Sequence, residues 1–159
     1  MSKIIRIIVE GPDCSGKSTL VNRIKNDLGW DSKSLHHKEG SQFLRYLKEY
    51  AFSEQIVFDR SHFSEEVYSI LWREGSPFSK EEKEILEDIC KLNTLILFAC
   101  PSLETMEKRY LSRGDYQQIS FGELKKCRNL FYEKLSAVPH LLYTSSTREE
   151  LNKISERVM

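Results

Sequence analysis

Charge of one sign is what this chain lacks. Its 159 residues carry 24 Lys+Arg against 24 Asp+Glu, so the formal net charge is zero. That balance argues against general binding to polyanions, although a local basic site is still allowed. Long apolar runs are missing too. The longest, Leu95-Ile96-Leu97-Phe98-Ala99-Cys100, has the length of a strand and falls far short of the ~18 residues that suggest a membrane span. The first residues have neither an extended apolar region nor a small-residue cleavage site, so they do not read as a secretory signal. Glycine and proline are sparse, at 7 and 4, and no repeat, low-complexity tract or linker interrupts the chain. One domain over residues 1–159 is expected.

The four cysteines, Cys14, Cys90, Cys100 and Cys127, make no C-x-x-C pair and have no zinc-ligand spacing. Free thiols in a reducing cytoplasm are expected, with Cys90, Cys100 and Cys127 buried as small apolar residues. Neither nucleic acid nor a membrane is expected as a partner, and a homodimer is left open.

What is present alternates. Lys3 to Val9 is an apolar, β-branched run that reads as a buried strand. A helix is predicted from Lys17 to Leu28, with Leu20, Val21, Ile24 and Leu28 at helical spacing. A short second strand is placed near Leu35, and Phe43, Leu44, Leu47 and Tyr50 suggest a helix after it. Gln55 to Phe58 is the third strand, followed by a helix with Val67, Ile70 and Leu71. Ser79-Lys80-Glu81-Glu82 reads as a capping box. Leu95 to Cys100 is a central strand, and Ser102 caps the next helix. Ser120-Phe121-Gly122-Glu123 is a second capping box, Leu141 to Tyr143 a last strand, and Thr147-Arg148-Glu149-Glu150 opens the final helix. Apolar strands alternating with helices imply an α/β fold with a parallel sheet, here of five strands. Ligands in such folds sit beyond the carboxyl ends of the strands.

Two strand ends carry chemistry. Gly11-Pro12-Asp13-Cys14-Ser15-Gly16-Lys17-Ser18 fits G-x-x-x-x-G-K-[ST] between a strand and a helix, the context that this phosphate-cradling motif requires. Gly11 and Gly16 allow backbone N–H groups to turn toward one anion, and the helix N-terminus adds positive potential. Lys17 would reach the β- and γ-phosphates of ATP, and the Ser18 hydroxyl would bind Mg²⁺. The third strand ends in Asp59-Arg60-Ser61. Asp59 is placed to hold Mg²⁺, and Arg60 to fork onto a phosphate in the same crevice.

Together, Gly11 to Thr19 and Asp59-Arg60 resemble the thymidylate kinase family of nucleoside monophosphate kinases. The resemblance implies a P-loop NTPase fold and transfer of the ATP γ-phosphoryl group to a deoxynucleoside monophosphate, dTMP or a related acceptor. The family's D-R-Y-x-x-S-x-x-A-Y pattern is matched at Asp59, Arg60, Ser64 and Tyr68, and departed from at Ser61 and Val67. By that resemblance Asp13 contacts the acceptor sugar's 3′-hydroxyl, and Lys38-Glu39-Gly40 stands where the family has R-E-P. Lys38 then contacts the acceptor phosphate, and Glu39 helps to arrange metal and acceptor. Phe43 and Arg45 are candidates for stacking on and reading the base. The donor site comprises Gly11, Asp13, Cys14, Ser15, Gly16, Lys17, Ser18 and Thr19.

A basic stretch, Lys108-Arg109-Tyr110-Leu111-Ser112-Arg113-Gly114-Asp115, follows the fourth strand and resembles the family's lid, placed around residues 103–118. Arg109 and Arg113 are four apart and share one helix face. Cys14 stands where some members carry a catalytic loop arginine, so the burden falls on Arg113 as catalytic cation, with Lys17 and Asp59. Arg109 is expected against adenine or phosphate, and Thr144-Ser145-Ser146 as the adenine-contacting loop. His36 and His37 read as solvated, and His62 as structural. Cys14, at a helix N-terminus, is expected to favour the thiolate. Asp59-Arg60-Ser61 followed by Ser64-Glu65 also approaches the E-R-S-x-x-S-D pattern of deoxynucleoside kinases, which would make Glu39 the base for a 5′-hydroxyl. A nucleotide-binding module without catalysis is the reading from a different class.

Overall fold

The computed structural model describes residues 3–113, 119–144 and 148–158. β1 (Arg6–Glu10) leads through a loop into α1 (Lys17–Leu28). Then come β2 (Asp31–Ser34), α2 (Gln42–Phe52), β3 (Ile56–Asp59) and α3 (His62–Trp72). α4 (Lys80–Asn93) runs directly into β4 (Thr94–Ala99), followed by α5 (Leu103–Ser112), α6 (Phe121–Leu135), β5 (Leu141–Tyr143) and α7 (Arg148–Val158). The five strands form one parallel sheet in the order β2-β3-β1-β4-β5. The chain starts at the centre, moves to one edge and returns past β1 to the other. This puts a topological switch at the carboxyl end of β1, between β3 and β4.

Side-chain alternation divides the core. Ile8, Phe58, Ile96 and Phe98 face one way, onto Phe63, Val67, Leu86 and Phe131 of α3, α4 and α6. Ile7, Val9, Val57, Leu95 and Leu97 face the other way, onto Leu20, Val21 and Ile24 of α1 and Ile154 and Val158 of α7. Both faces being covered, the strands read as continuous apolar runs.

The boundaries differ from the sequence expectation where periodicity is weak. β1 starts at Arg6 rather than Lys3 and ends on Glu10, a carboxylate that an apolar pattern would not include. β2 is Asp-Ser-Lys-Ser, mostly exposed at the sheet edge, and stops before Leu35, which is buried. α2, α3, α4, α5 and α6 all start on a serine whose hydroxyl accepts a first-turn N–H: Ser41, Ser61, Ser79, Ser102 and Ser120. At Ser120 the reciprocal bond, from the Ser120 N–H to the Glu123 carboxylate, completes the expected box. Ser79 caps α4 through the Glu82 N–H at 3.1 Å. α1 differs: its cap is Gly16 at φ +84°, with no side-chain bond, so its first N–H groups are left for a ligand. Among the described residues, no helix is long and apolar enough to cross a membrane.

Candidate active site

The loop between β1 and α1 is shaped by close approach. A Cβ on Gly11 would lie 2.6 Å from the Ala99 carbonyl oxygen of β4 and 2.9 Å from Ser15 Oγ, so only glycine lets the loop turn over the end of the sheet. Cys14 takes φ +65° and Gly16 φ +84°, which curls the backbone around one centre. Ser15 Oγ is buried with no hydrogen-bond partner among the described residues. A phosphate oxygen fits that orphaned donor and the open N-terminus of α1.

α5 brings both lid arginines to this loop. Arg109 Nη1 donates to the Cys14 carbonyl at 3.2 Å, and its guanidinium lies 3.1 Å from where a Gly16 Cβ would be. Arg113 is the residue on which α5 ends, its N–H donating to the Tyr110 carbonyl at 3.3 Å. A cleft of about 280 Å³ opens between the loop and α5. Cys14, Ser15, Gly16 and Thr19 line one side, Arg109 and Arg113 the other, and Tyr143 and Thr144 its end. A smaller one of about 100 Å³ follows Pro12 to Thr19, with Arg113 at its rim. Gly114 to Gln118 of the expected lid, Ser145-Ser146 of the expected adenine loop and Thr147 of the expected last cap lie outside the described residues. A third cleft of about 260 Å³ lies at the opposite ends of the strands, beside Ile4, Leu95 and Leu141, and holds none of the motif residues.

Where β1 and β3 end together, Lys17 Nζ stands 3.6 Å from Asp59 Oδ1. That oxygen is buried and accepts no hydrogen bond from the described residues. A hard cation fits a buried carboxylate oxygen that accepts no hydrogen bond, and Ser18, the other expected ligand, is exposed on the first turn of α1.

The expected acceptor residues start one position later. Arg60 has φ +78°, a conformation that costs a non-glycine residue roughly 1–2 kcal/mol. It turns the guanidinium toward the phosphate loop, 3.8 Å from Asp13 Oδ1, and over the Tyr68 ring at 5.2 Å. Burial would lower the Arg60 pKa, but Tyr68, Asp13, Glu10 and Asp59 together hold it above its ordinary value. Glu10, which the sequence reading passed over, has no exposed surface. It accepts from the Ser61 hydroxyl and from the Ser64 N–H at 3.2 Å. Burial pushes its pKa up to about 7, against the pull of the Ser61 bond and Lys17. The only sequence signal for Glu10 is a charge inside an apolar strand, immediately before Gly11.

Other candidates are scattered. Lys38 and Glu39 are exposed on the loop after β2, where the Lys38 carbonyl accepts from Gln42. Phe43 packs against the main core. Arg45 lies over the Tyr46 ring at 5.0 Å and donates to Gln42. His37 is exposed as expected, but its Nδ1 is 2.6 Å from Glu65, which Arg73 also meets at 2.7 Å. His62 is fully buried among Tyr46, Tyr50, Phe63 and Phe78, and burial lowers its pKa to about 3. The expectation for Cys14 needs correction. The thiol is buried against Met106 and Leu124, and loss of solvation raises its pKa despite Arg113 and Arg109. Burial outweighs the two arginines, and the thiol form is favoured.

No family model matches the chain. It is 24% identical over 135 residues to YorR, an uncharacterized protein derived from the SPbeta prophage of Bacillus subtilis strain 168, covering 82% of this chain and 81% of that one. The crystal structure of YorR in complex with phosphorylated GDP matches with a TM-score of 0.82 at 21% identity, over 95% of this chain and 94% of that one. Deoxyadenosine kinase from M. mycoides, with products dCMP and a flexible dCDP, matches at 0.65 and 14%, over 97% and 98% of the two chains. Thymidylate kinase from Candida albicans matches at 0.61 and 16%, over 98% and 92%. The chain has the P-loop kinase fold. Within that fold the carboxyl end of β1 lies between the cleft under α5 and the Arg60–Asp13 pair, with Lys17 and Asp59 between them.

Proposed function

We propose that this protein is a nucleotide kinase that moves the γ-phosphoryl group of ATP to a deoxynucleoside monophosphate, dTMP or a related acceptor. One observation carries the reading: cations stand on both sides of Asp59. Lys17 is 3.6 Å from it on the donor side, and Arg60, the next residue, is turned by a positive φ toward Asp13 on the acceptor side. A monophosphate brings a second dianion into the crevice, and a half-buried arginine held in its charged form is suited to receive it.

Catalysis would be positioning plus charge neutralisation. The 11–18 backbone and Lys17 cradle the donor phosphates, and Arg113 meets charge that develops on the group in flight. Arg109 stays against the donor nucleotide, and Thr19 lines its cleft. Arg60 and Lys38 grip the acceptor phosphate, Asp13 the sugar hydroxyl, and Glu39 helps to arrange the acceptor. Phe43 and Arg45 are retained as base-side candidates on the resemblance alone. Mg²⁺, held by Ser18 and Asp59, would supply neutralising charge between the phosphates.

A nucleoside acceptor is the second reading, favoured by the solvent-facing Glu39, which is accessible to a 5′-hydroxyl proton. Steady-state assays of paired nucleosides and monophosphates at fixed MgATP separate the two. Faster turnover of the monophosphates supports the proposal; turnover of nucleosides with monophosphates inert overturns it.

A further inference from the structure

The last two residues of β1 hold Arg60 from both sides. The Arg60 N–H donates to the Val9 carbonyl at 3.1 Å. The next residue, Ser61, donates its hydroxyl to Glu10 Oε1, and the Ser64 N–H donates to the same oxygen at 3.2 Å. The turn is closed on itself as well: Ser64 Oγ accepts the Ser61 N–H at 3.2 Å and donates to the Ser61 carbonyl at 2.9 Å. Between these clamps sits a left-handed arginine. Such a conformation persists only where its neighbours over-determine it. Here those neighbours are Val9 and Glu10, and the residue after Glu10 opens the phosphate loop.

A carboxylate is also an odd choice for that position. The rest of β1's end is apolar core, Glu10 is fully buried, and its Oε2 has no hydrogen-bond partner among the described residues. An aliphatic side chain would avoid leaving a polar atom unsatisfied. What Glu10 adds is a reach across to the first turn of α3.

We propose that Glu10 is a positioning residue for the acceptor grip: tied to Ser61 and Ser64, it keeps Arg60 in the left-handed turn that faces Asp13. Acceptor and donor sites are then set from one strand end. Having no exposed surface, Glu10 does not touch substrate and acts through Arg60. Its effect on turnover rests on the kinase reading above; its effect on the Arg60 backbone does not. The expected size follows from geometry, since a misplacement of ~1 Å in a reacting pair costs on the order of 10²-fold in rate.

Glu10→Ala and Ser61→Ala break the clamp from its two ends, while Glu10→Gln keeps an oxygen able to accept both bonds. Two readouts are taken on the full chain. The first is the intraresidue amide-to-Hα NOE of Arg60, measured without substrate, which is strong only when φ is positive. The second is the acceptor KM set against the ATP KM. Glu10→Ala and Ser61→Ala should lose the strong NOE and raise the acceptor KM by roughly 10- to 100-fold, with the ATP KM unchanged. Glu10→Gln should restore both. If Glu10→Ala does not fold, Ser61→Ala decides by itself. An NOE and acceptor KM that survive the clamp's removal overturn the proposal. Equal damage to both KM values does so too, and so does Glu10→Gln behaving like Glu10→Ala. A wild-type chain that phosphorylates no nucleotide would sink the function proposed above, while the NOE would still decide the positioning role.

Discussion

The proposed donor and acceptor halves of the crevice are built in different ways. The donor half is one short stretch of chain, Gly11 to Thr19, to which α5 adds two arginines. Its shape comes from backbone angles that adjacent residues impose. The acceptor half is assembled from Asp13 on that loop, Arg60 after β3, Tyr68 on α3 and Glu10 under them all. No two of these four are chain neighbours. A site made by contiguous backbone tolerates change elsewhere, whereas one made by convergence depends on what holds its parts together.

The largest effect should fall on the donor side. Lys17→Ala is expected to lower transfer by at least ~10³-fold, since it removes the charge that meets the phosphates. Thermal unfolding should stay cooperative, because Lys17 is aimed at ligand; near-normal turnover would break the donor assignment. Arg113→Ala comes next, lowering kcat by about 10³-fold, as for an arginine that meets transition-state charge. A loss of ATP affinity with kcat intact would instead make Arg113 a ground-state contact.

On the acceptor side the effect should be smaller and confined to one substrate. Arg60→Ala keeps the backbone cost of a positive φ but removes the cation. It should reduce acceptor kcat/KM by about 2 kcal/mol, the lower end of the cost of truncating one member of a buried charge pair, because the Arg60 side chain is partly exposed. Unchanged ATP KM would sharpen the contrast between the halves, and a parallel loss in ATP use would erase it.

The residue beneath both halves has a pH signature. Glu10 has a folded pKa of about 7, raised from 4.5, so the folded state binds its proton more tightly, and acidification from pH 7 to 4.5 favours folding. His62 works in the opposite sense. Its folded pKa is about 3, lowered from 6.5, so below pH 6.5 the unfolded chain takes up a proton that the folded chain refuses. In Glu10→Gln the His62 contribution is left without the opposing one from Glu10. Relative to wild type, that variant should lose up to ~1.4 kcal/mol per pH unit between pH 7 and 4.5, read from urea midpoints. A constant difference across that range would mean that Glu10 is already ionised in the folded protein.

The smallest effect belongs to Asp13. Asp13→Ala should cut the preference for acceptors with a 3′-hydroxyl by about tenfold, one hydrogen bond to a charged group. An unaltered ratio between 3′-hydroxyl and 3′-deoxy acceptors would leave Asp13 only as the partner of Arg60.

Legibility followed the same division. α1 and β5 have the bounds that their apolar spacing predicts, and α4, α5 and α6 start on the expected serine caps, while Ser41 and Ser61 cap α2 and α3 without having been expected to. β2 is polar because it is an edge, so its pattern carries no strand signal. The turn from β1 into α1 was legible because Gly11, Gly16 and Lys17 stand at fixed spacing within one short stretch. Glu10 was not, because its meaning lies in Ser61 and Ser64, more than fifty residues away. His37 looked solvated because its partner Glu65 is on another element.

By itself, then, the sequence determined the alternating elements, the parallel sheet and the loop of Gly11 to Ser18, all consequences of short-range sterics and hydrophobic periodicity. Only the tertiary structure decided that Arg60 turns back toward Asp13, that Arg109 reaches the Cys14 carbonyl and that burial keeps Cys14 a thiol. Those outcomes depend on how strands align side by side and on solvent excluded from between them, quantities that belong to no segment of the chain alone.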